Sequence, residues 1–541
     1  MVFSVIKKIV SQRAQRKLRR GIRIIKLAHK RDNNMWEGLS YLRLVSKTNI
    51  RIIPNTWLYG ENNSEVELSA RARTIIFKIA LQPIIFFKVT KAIYDKKQNI
   101  YTSAPRVWRN KFRDLGFKTP ILINDINWFI MQVRLLIKSV IASARMTRYS
   151  LVNKNIQPVQ PYWIADLFPK NSFPSPDKNI SQRRLIPFLE KISTEIPTGK
   201  NIWITDYSDR IPSQNGNVTT TPHIFPALES YTKDFQFFIL SVCVISLSFL
   251  KWIMGSVGAP ALAEDAVTLR YFNLLESKQL PFLYLRTHQD AAGKPIWIRE
   301  AESKNINSLM VFYSANNLVM RYKYQNLPTQ KNPEHLMLNW PNFIVRDQYQ
   351  TKWLRSVVSN EIKTFEVGVM PFEESDVELA KFRSRTIVIF DITPVRDSYY
   401  VLHGERYGVL TNNYIIKFWQ DIIKIGQQLD ISFAVKPKRQ RVSWTVTQQY
   451  RHTINQLNKL PNFIIIDPDV SALRLINQAD AVISLPYTST ALDALKLGKP
   501  SIYYDPSKNL QDESDDQHDV SLIRGEDNLK QWIISLGLNS L

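Results

Sequence analysis

The feature that most constrains the fold of this 541-residue chain is a regular alternation of segment types in its last third. Short apolar runs rich in β-branched residues alternate there with longer runs that have helical periodicity. The predicted strands are 386–392, 431–438, 462–468, 480–486 and 501–506, and the predicted helices are 412–429, 446–460, 471–479 and 488–498. Continuous apolar strands that alternate with amphipathic helices indicate a parallel sheet covered on both faces. The sequence therefore predicts a doubly wound α/β domain in this region.

The region upstream alternates in the same way, although less regularly. The runs NIWITDYS, LMVFYSANN and NFIVRDQYQ are typical of strands that end in polar loops. A second, looser Rossmann-like domain accounts for them. We therefore expect a basic, mainly helical N-terminal region over 1–150, a Rossmann-like domain over 151–364 and a second one over 365–541. The two Rossmann-like domains would face a cleft.

Positive charge is concentrated in the first part of the chain. Residues 1–150 contain 30 Lys and Arg against 8 Asp and Glu, whereas the remaining residues contain 42 and 39. Such an excess indicates an anionic partner. Residues 1–31 and 74–94 mix apolar side chains with Lys and Arg, and the spacing in the first 25 residues is that of an amphipathic helix in a membrane interface. Because no nucleic-acid-binding motif accompanies the charge, we expect an anionic membrane surface and no nucleic acid, with a plain basic surface as the remaining alternative.

The run Phe235–Leu250 has no charged residue. Crossing a bilayer takes about 20 apolar residues, so we expect a buried or surface-embedded helix here rather than a span.

The single cysteine, Cys243, excludes a disulfide within the chain, and no group of His, Cys and carboxylates has the spacing of a metal site. The expected location is cytoplasmic, peripheral on the inner face of the cell membrane.

A turn rich in hydroxyls follows the predicted strand 480–486. Its residues are Pro486, Tyr487, Thr488, Ser489 and Thr490. Ligands of an open parallel sheet bind outside the carboxyl ends of its strands, and the N-terminus of a helix favours a phosphate there. The three hydroxyls could donate to that phosphate or cap the helix, and Asp493 could accept from a ribose hydroxyl. Neither a P-loop nor a GxGxxG pattern is present.

Cations follow two other strands at the same predicted edge. Lys436, Lys438 and Arg439 end the strand 431–438, and Arg396 follows the strand 386–392. Cations on a rigid turn would neutralise a diphosphate leaving group. A solvated basic loop is the alternative interpretation.

Several motifs together, in order, resemble a known family. They are WPNFIVRDQYQ, GVMPFEES, IFDITPV, FAVKPKR and SLPYTSTALDALKLGKPSIYYDP. This set is similar to that of the bacterial surface-polysaccharide biosynthesis proteins named for a PFTS motif, which reads PYTS here at 486–489. The resemblance covers about residues 270–510. It implies a GT-B-type glycosyltransferase whose C-terminal domain holds a nucleotide-sugar donor and whose acceptor is a surface polysaccharide or lipid-linked glycan.

The resemblance also implies a mechanism. The nucleotide sugar is a substrate, so no cofactor is expected, and the cations would replace a metal ion. The general base would come from the upstream domain, with Glu300, Glu302 and Asp347 as candidates, although a solvated helix face is the other interpretation of Glu300 and Glu302.

Two other classes of function stay open. One is different GT-B chemistry, as in a nucleotide-sugar epimerase or a polyol-phosphate transferase, and the other is a non-catalytic scaffold of a polysaccharide export or assembly complex.

Overall fold

The structure is a computed structural model of the chain. It describes residues 48–77, 99, 101–114, 118–166, 201–205, 213–215, 218–287, 293–312, 338–359, 361–369, 379, 381–382, 385–392, 394, 412–429, 431–438, 447–468, 470–510 and 518–538. The predicted amphipathic helix in residues 1–31 and most of the segment 74–94 lie outside these ranges. So do Arg396 and Arg439.

The upstream domain is built on an eight-stranded sheet. Its strands are β1 (Tyr162–Asp166), β2 (Asn201–Thr205), β3 (Ser213–Asn215), β4 (Val218–Thr221), β5 (Leu283–Thr287), β6 (Asn307–Val311), β7 (Asn342–Val345) and β8 (Lys363–Glu366). Their order is β3-β4-β2-β1-β5-β6-β7-β8, and the neighbours are parallel except for the antiparallel pair β3 and β4. Strand β8 crosses the boundary at residues 364 and 365 that the sequence suggested.

Eight helices of the described residues belong to this domain. They are α1 (Thr56–Tyr59), α2 (Glu65–Ile76), α3 (Arg106–Asp114), α4 (Ile121–Val152), α5 (Tyr231–Ile253), α6 (Ala259–Leu274), α7 (Trp297–Ser303) and α8 (Gln348–Val357). The described part of residues 1–150 is thus mainly helical. Leu68 of α2 and Leu135 of α4 share one core with Tyr162 of β1, so this part packs into the upstream domain.

The C-terminal domain is built on six parallel strands. They are β9 (Thr386–Asp391), β10 (Ser432–Pro437), β11 (Phe463–Ile465), β12 (Ala481–Ser484), β13 (Ser501–Asp505) and β14 (Ser521–Arg524). The helices are α9 (Asn412–Gln428), α10 (Gln448–Leu457), α11 (Ala472–Gln478), α12 (Ser489–Lys496) and α13 (Glu526–Ser535). The predicted alternation is confirmed for every strand and helix from residue 386 to residue 505, and β14 with α13 extends it.

Side chains of both sheets alternate between two cores. Ile387 and Ile389 of β9 enter one apolar cluster, whereas Val388 and Phe390 enter the other. Tyr162 and Trp163 of β1 divide in the same way in the upstream sheet. Alternate burial on two faces is the property of a sheet with helices on both sides. The protein is therefore an α/β protein of two doubly wound, Rossmann-like domains.

The strand order of the C-terminal sheet locates its ligand edge. The order is β11-β10-β9-β12-β13-β14, which is the order 3-2-1-4-5-6 of dinucleotide-binding folds. The strand order reverses between the parallel neighbours β9 and β12, so a crevice opens beyond the carboxyl ends of these two strands. The turn 486–490 follows β12 and lies at this crevice.

Candidate functional site

The turn between β12 and α12 has an unusual backbone. Tyr487 adopts φ +62°, in the left-handed region that bulky residues rarely enter. Its ring is buried and lies 5.7 Å, centroid to centroid, from the ring of Tyr503. The Tyr503 hydroxyl in turn donates to the carbonyl oxygen of Thr488 at 3.2 Å. Packing and this hydrogen bond hold a strained turn at the switch point, and strain of this kind is concentrated at functional sites.

The hydroxyls of the turn do not cap the helix. Thr488 occupies the N-cap position of α12, but its Oγ1 donates to the carbonyl oxygen of Leu485 at 2.8 Å. Thr490 Oγ1 lies 3.0 Å from Ser484 Oγ. Ser489 is half-buried and has no hydrogen-bond partner among the described residues. The first amides of α12 therefore have no side-chain cap, and together with Ser489 they can bind an anion.

The cations after β10 differ in exposure. Lys436 is buried, and its Nζ donates to the carbonyl oxygen of Pro468 at 2.9 Å. Lys438 is exposed at the carboxyl end of the strand. Asp391, at the end of β9, is buried and accepts from the hydroxyl of Tyr450. Of the predicted cations that the structure describes, Lys438 is thus the one at the surface, while Lys436 fixes the loop after β11.

A buried ion pair joins the two domains beside the turn. Arg346 follows β7, and its guanidinium bonds the carboxylate of Asp493 in α12; both side chains are buried. Burial raises the pKa of the Asp493 carboxyl, and the charge of Arg346 opposes this rise. This pairing corrects the expectation that Asp493 is open to a ribose hydroxyl, because its carboxylate is buried and already bonded to Arg346.

Two further contacts continue this seam between the domains. His518 Nδ1 lies 2.7 Å from the carboxylate of Asp347, and the Tyr349 hydroxyl donates to Asp519 at 2.5 Å. Both His518 and Asp519 have positive φ, +48° and +67°. Burial alone would raise the pKa of the Asp347 carboxyl, but its bonds to His518 and to the Gln350 amide hold that pKa below its usual value. Asp347 is therefore an ionised carboxylate at the carboxyl edge of β7, facing the C-terminal domain.

Glu300 and Glu302 do not lie at this cleft. They belong to α7, which runs back to the amino end of β6, and Ser308 of that strand donates to Glu302. Glu302 also accepts from the buried Lys294 at 2.9 Å, and Glu300 accepts from the amide of Asn62 at 3.2 Å. The expectation that this pair faces the cleft is corrected, because both carboxylates lie at the opposite edge of the sheet.

The upstream sheet has its own polar group at a strand end. Asp166 ends β1 beside β5, where the Tyr284 hydroxyl donates to it at 2.6 Å and Arg286 lies 3.3 Å away. Sequence reasoning missed this group, although an acid that directly follows an apolar run (WIAD) was a usable signal. It also missed Arg346 and His518. Within the described residues, no group of three or more His, Cys, Asp or Glu is arranged to hold a metal ion.

Solved structures with a similar architecture are distant in sequence. UGT89C1 of Arabidopsis thaliana in complex with UDP has a TM-score of 0.38 and 11% identity, with 70% of this chain and 90% of that chain covered. Sucrose-phosphate synthase of Thermosynechococcus elongatus has a TM-score of 0.34 and 11% identity, with coverage of 70% and 92%. UDP-GlcNAc 2-epimerase of Methanocaldococcus jannaschii has a TM-score of 0.33 and 10% identity, with coverage of 70% and 93%. No curated protein matches the chain.

A family model identifies the chain more directly. The model described as "Polysaccharide biosynthesis PFTS motif protein" matches residues 247–533, which is more than half of the chain. The matched region contains the whole C-terminal sheet and the turn 486–489 at its switch point. The chain belongs to the family of polysaccharide biosynthesis PFTS motif proteins.

Proposed function

We propose that the protein is a glycosyltransferase that moves a sugar from a nucleotide-sugar donor to a surface polysaccharide or a lipid-linked glycan. The turn at the switch point of the C-terminal sheet is the observation that supports this most. Its uncapped helix N-terminus and the free Ser489 hydroxyl form an anion site at the edge where a Rossmann-like sheet binds nucleotides. A role in polysaccharide biosynthesis, which the family description states, requires activated sugars.

In the proposed reaction, an acceptor hydroxyl attacks the anomeric carbon of the donor sugar. The bond from that carbon to the phosphate oxygen breaks, and the nucleoside diphosphate (or CMP, from a CMP-sugar) leaves with the electron pair. The amides that open α12, the Ser489 hydroxyl and the Lys438 ammonium would stabilise the charge that develops on the diphosphate. Fixed donors of this kind act without a metal ion, because they supply the same charge compensation.

The acceptor proton requires a base on the upstream side of the cleft. Of the three candidates from the sequence, only Asp347 lies at the carboxyl edge that faces the C-terminal domain. Its carboxylate is ionised and lies 2.7 Å from His518 Nδ1, and it would take the proton of the acceptor hydroxyl. Asp347 is therefore the proposed base, and Glu300 and Glu302 are left with structural contacts.

Product analysis tests this function. Purified full-length protein is incubated with radiolabelled UDP-, GDP- and CMP-sugars and a bacterial lipid extract, and the label is followed into lipid and polymer fractions. We expect label in one of these fractions, lost in Lys438→Ala with Ser489→Ala and retained in Lys496→Ala, which removes a lysine at the far end of α12. A donor converted to its epimer without any acceptor would indicate an epimerase instead, and no conversion of any donor would support a scaffold.

Metal independence has its own test. We expect transfer to persist after EDTA treatment, because Lys438 and the helix N-terminus would stabilise the leaving group. Loss of activity that magnesium or manganese restores would overturn this expectation and direct attention to Asp467, which follows β11.

The proposed site of action is the cytoplasmic face of the cell membrane. The balance of 30 basic to 8 acidic residues in the first 150 residues supports attachment to anionic lipids. A lipid-linked acceptor would be reached from this position.

A further inference from the structure

The upstream domain exposes large apolar side chains along helix α5. Phe235, Phe238, Ile239, Val242, Phe249 and Leu250 are all exposed, with Phe235 67% accessible. Their spacing of three, four and seven residues puts them in one row along the whole helix. Helix α4 adds a second row next to it, which contains Ile126, Phe129, Ile130, Ile137, Val140 and Ile141. These two rows are called the apolar face below.

The inner sides of the same helices contain polar residues as well as apolar core residues such as Phe237 and Leu135. Ser241 and Ser248 of α5 are buried, and neither hydroxyl has a partner among the described residues. Gln132 and Ser139 of α4 are buried as well. A helix on a water-exposed surface has the opposite pattern, with apolar residues inside and polar residues outside. Small and polar residues between helices, with large apolar residues outward, are the pattern of helices that lie in lipid.

We propose that the apolar face is inserted into one leaflet of an anionic lipid bilayer, with α4 and α5 lying parallel to the membrane plane. The proposal goes beyond the transfer reaction and does not depend on it. It assigns a membrane-binding element to residues 121–152 and 231–253, which the charge of the first 150 residues did not identify.

Charge favours a lipid surface as the occupant over a second copy of the chain. Arg134, Arg145 and Arg148 of α4 are exposed, and their spacing of 11 and 14 residues from Arg134 aligns them in one row beside the apolar face. Lys138 belongs to the same row and pairs with Glu264 of α6 at 2.7 Å. Lipid phosphates would pair with such a row, while the alkyl parts of the side chains stay in contact with hydrocarbon. Two copies related by a twofold axis would instead bring the same cations close together.

A groove between the two helices fits a hydrocarbon chain. Its volume is about 510 Å³, and its lining includes Val140, Ala144, Leu151, Phe238, Val242 and Ile245. Arg148 also lines the groove. One acyl chain of an anionic lipid would lie in it, with the phosphate against the Arg148 guanidinium.

The packing of α4 and α5 against α6 determines how these helices lie relative to the membrane. Helix α5 is 23 residues long, which corresponds to about 34 Å and would be enough to cross a bilayer. However, α6 packs along both α4 and α5, and α6 is itself buried in the core that contains Tyr162 and Tyr284. A helix that crosses the membrane would have to leave this core. The packed arrangement leaves only the apolar face for lipid, so the helices lie in the interface.

The single native cysteine provides the probe. Cys243 is exposed on α5 and is labelled with an environment-sensitive fluorophore in the full-length protein. Vesicles of phosphatidylethanolamine and phosphatidylglycerol should raise its emission and shift it to the blue. In a Cys243→Ser background, labels at Phe235→Cys, Val242→Cys and Leu250→Cys should be quenched equally by lipids with a shallow nitroxide, since all three lie at one depth. A label that is quenched only by a deep nitroxide at Val242→Cys would show a span and overturn the in-plane arrangement.

Matched variants test the face itself. Phe238→Asp with Val242→Asp should reduce vesicle binding at least tenfold, whereas Ile464→Asp, at an exposed isoleucine of the C-terminal domain, should leave it unchanged. Circular dichroism confirms that each variant is folded. Vesicle binding equal to the wild type in the double variant would refute the proposal. So would a wild-type dimer in solution that the double variant converts to a monomer, since a second copy would then cover the face.

Discussion

Helix α5 of the upstream domain and helix α9 of the C-terminal domain have opposite distributions of residues. In α9, Phe418, Trp419 and Ile422 are buried and Lys417 and Gln420 are exposed, as water requires of a surface helix. In α5 most large apolar residues are exposed, and the buried side contains Ser241 and Ser248 as well as Phe237 and Val244. This difference is the reason for the proposal that the upstream domain is the one that contacts lipid.

The largest difference in stability is expected when one phenylalanine of each helix is replaced by alanine. Phe418→Ala should lower the free energy of unfolding of the C-terminal domain by about 3–5 kcal/mol, because it removes a ring from the core. Phe238→Ala, at a ring that is 50% exposed, should change stability by less than about 0.5 kcal/mol. Urea denaturation followed by circular dichroism measures both. A large loss in Phe238→Ala would mean that its ring is buried in the free protein.

The next largest difference in stability is expected for the buried polar groups of the two helices. Asp421 of α9 accepts from the exposed Lys417 and, at 2.6 Å, from the buried Tyr504 hydroxyl, so Asp421→Ala should cost about 2 kcal/mol by leaving that hydroxyl unpaired. The Ser241 hydroxyl of α5 has no partner among the described residues, and Ser241→Ala should therefore stabilise the protein by about 1 kcal/mol. The same denaturation experiment compares them. If the two variants lost equal amounts of stability, the buried polar groups of α5 and α9 would not differ in the way proposed here.

The smallest effect is expected where the two domains meet, and it depends on pH. The pKa of Asp347 is lowered from its ordinary 3.8, so its ionised form stabilises the folded state above about pH 4, and this contribution disappears as the pH falls through the lowered pKa. Asp347→Asn should cost about 1.5 kcal/mol at pH 7 and flatten the loss of stability in acid. Asp527→Asn, at an exposed aspartate of α13, is the control and should follow the wild-type curve. Parallel curves for Asp347→Asn and wild type would show that the bond to His518 does not contribute.

Local sequence patterns predicted the C-terminal domain well because its signals are local. Strands β9 to β13 are apolar runs between amphipathic helices, and the turn 486–490 follows one of them directly. The pairing of Arg346 with Asp493 was not predictable in this way, since the two residues are 147 positions apart and meet through the docking of two domains. Glu300 and Glu302 were misplaced because α7 returns to the amino edge of the sheet.

The uncharged run Phe235–Leu250 shows a different limit of prediction from sequence. Its length and composition indicated a helix, and α5 extends over 231–253. Composition alone did not reveal which side faces outward, and the structure shows most of the helix exposed rather than buried. Ser241 and Ser248, seven residues apart, were the available signal, because they mark the inner side of an otherwise apolar helix.

The central claim is a division of tasks, in which the C-terminal domain binds nucleotide and the apolar face of the upstream domain binds lipid. Isothermal titration of UDP, GDP and CMP into full-length protein tests it most directly, with wild type, Lys438→Ala with Ser489→Ala, and Phe238→Asp with Val242→Asp. We expect at least one nucleotide to bind the wild type, with affinity at least tenfold weaker in the first double variant and unchanged in the second. Unchanged affinity in the first variant, or no binding of any nucleotide by the wild type, would contradict the account.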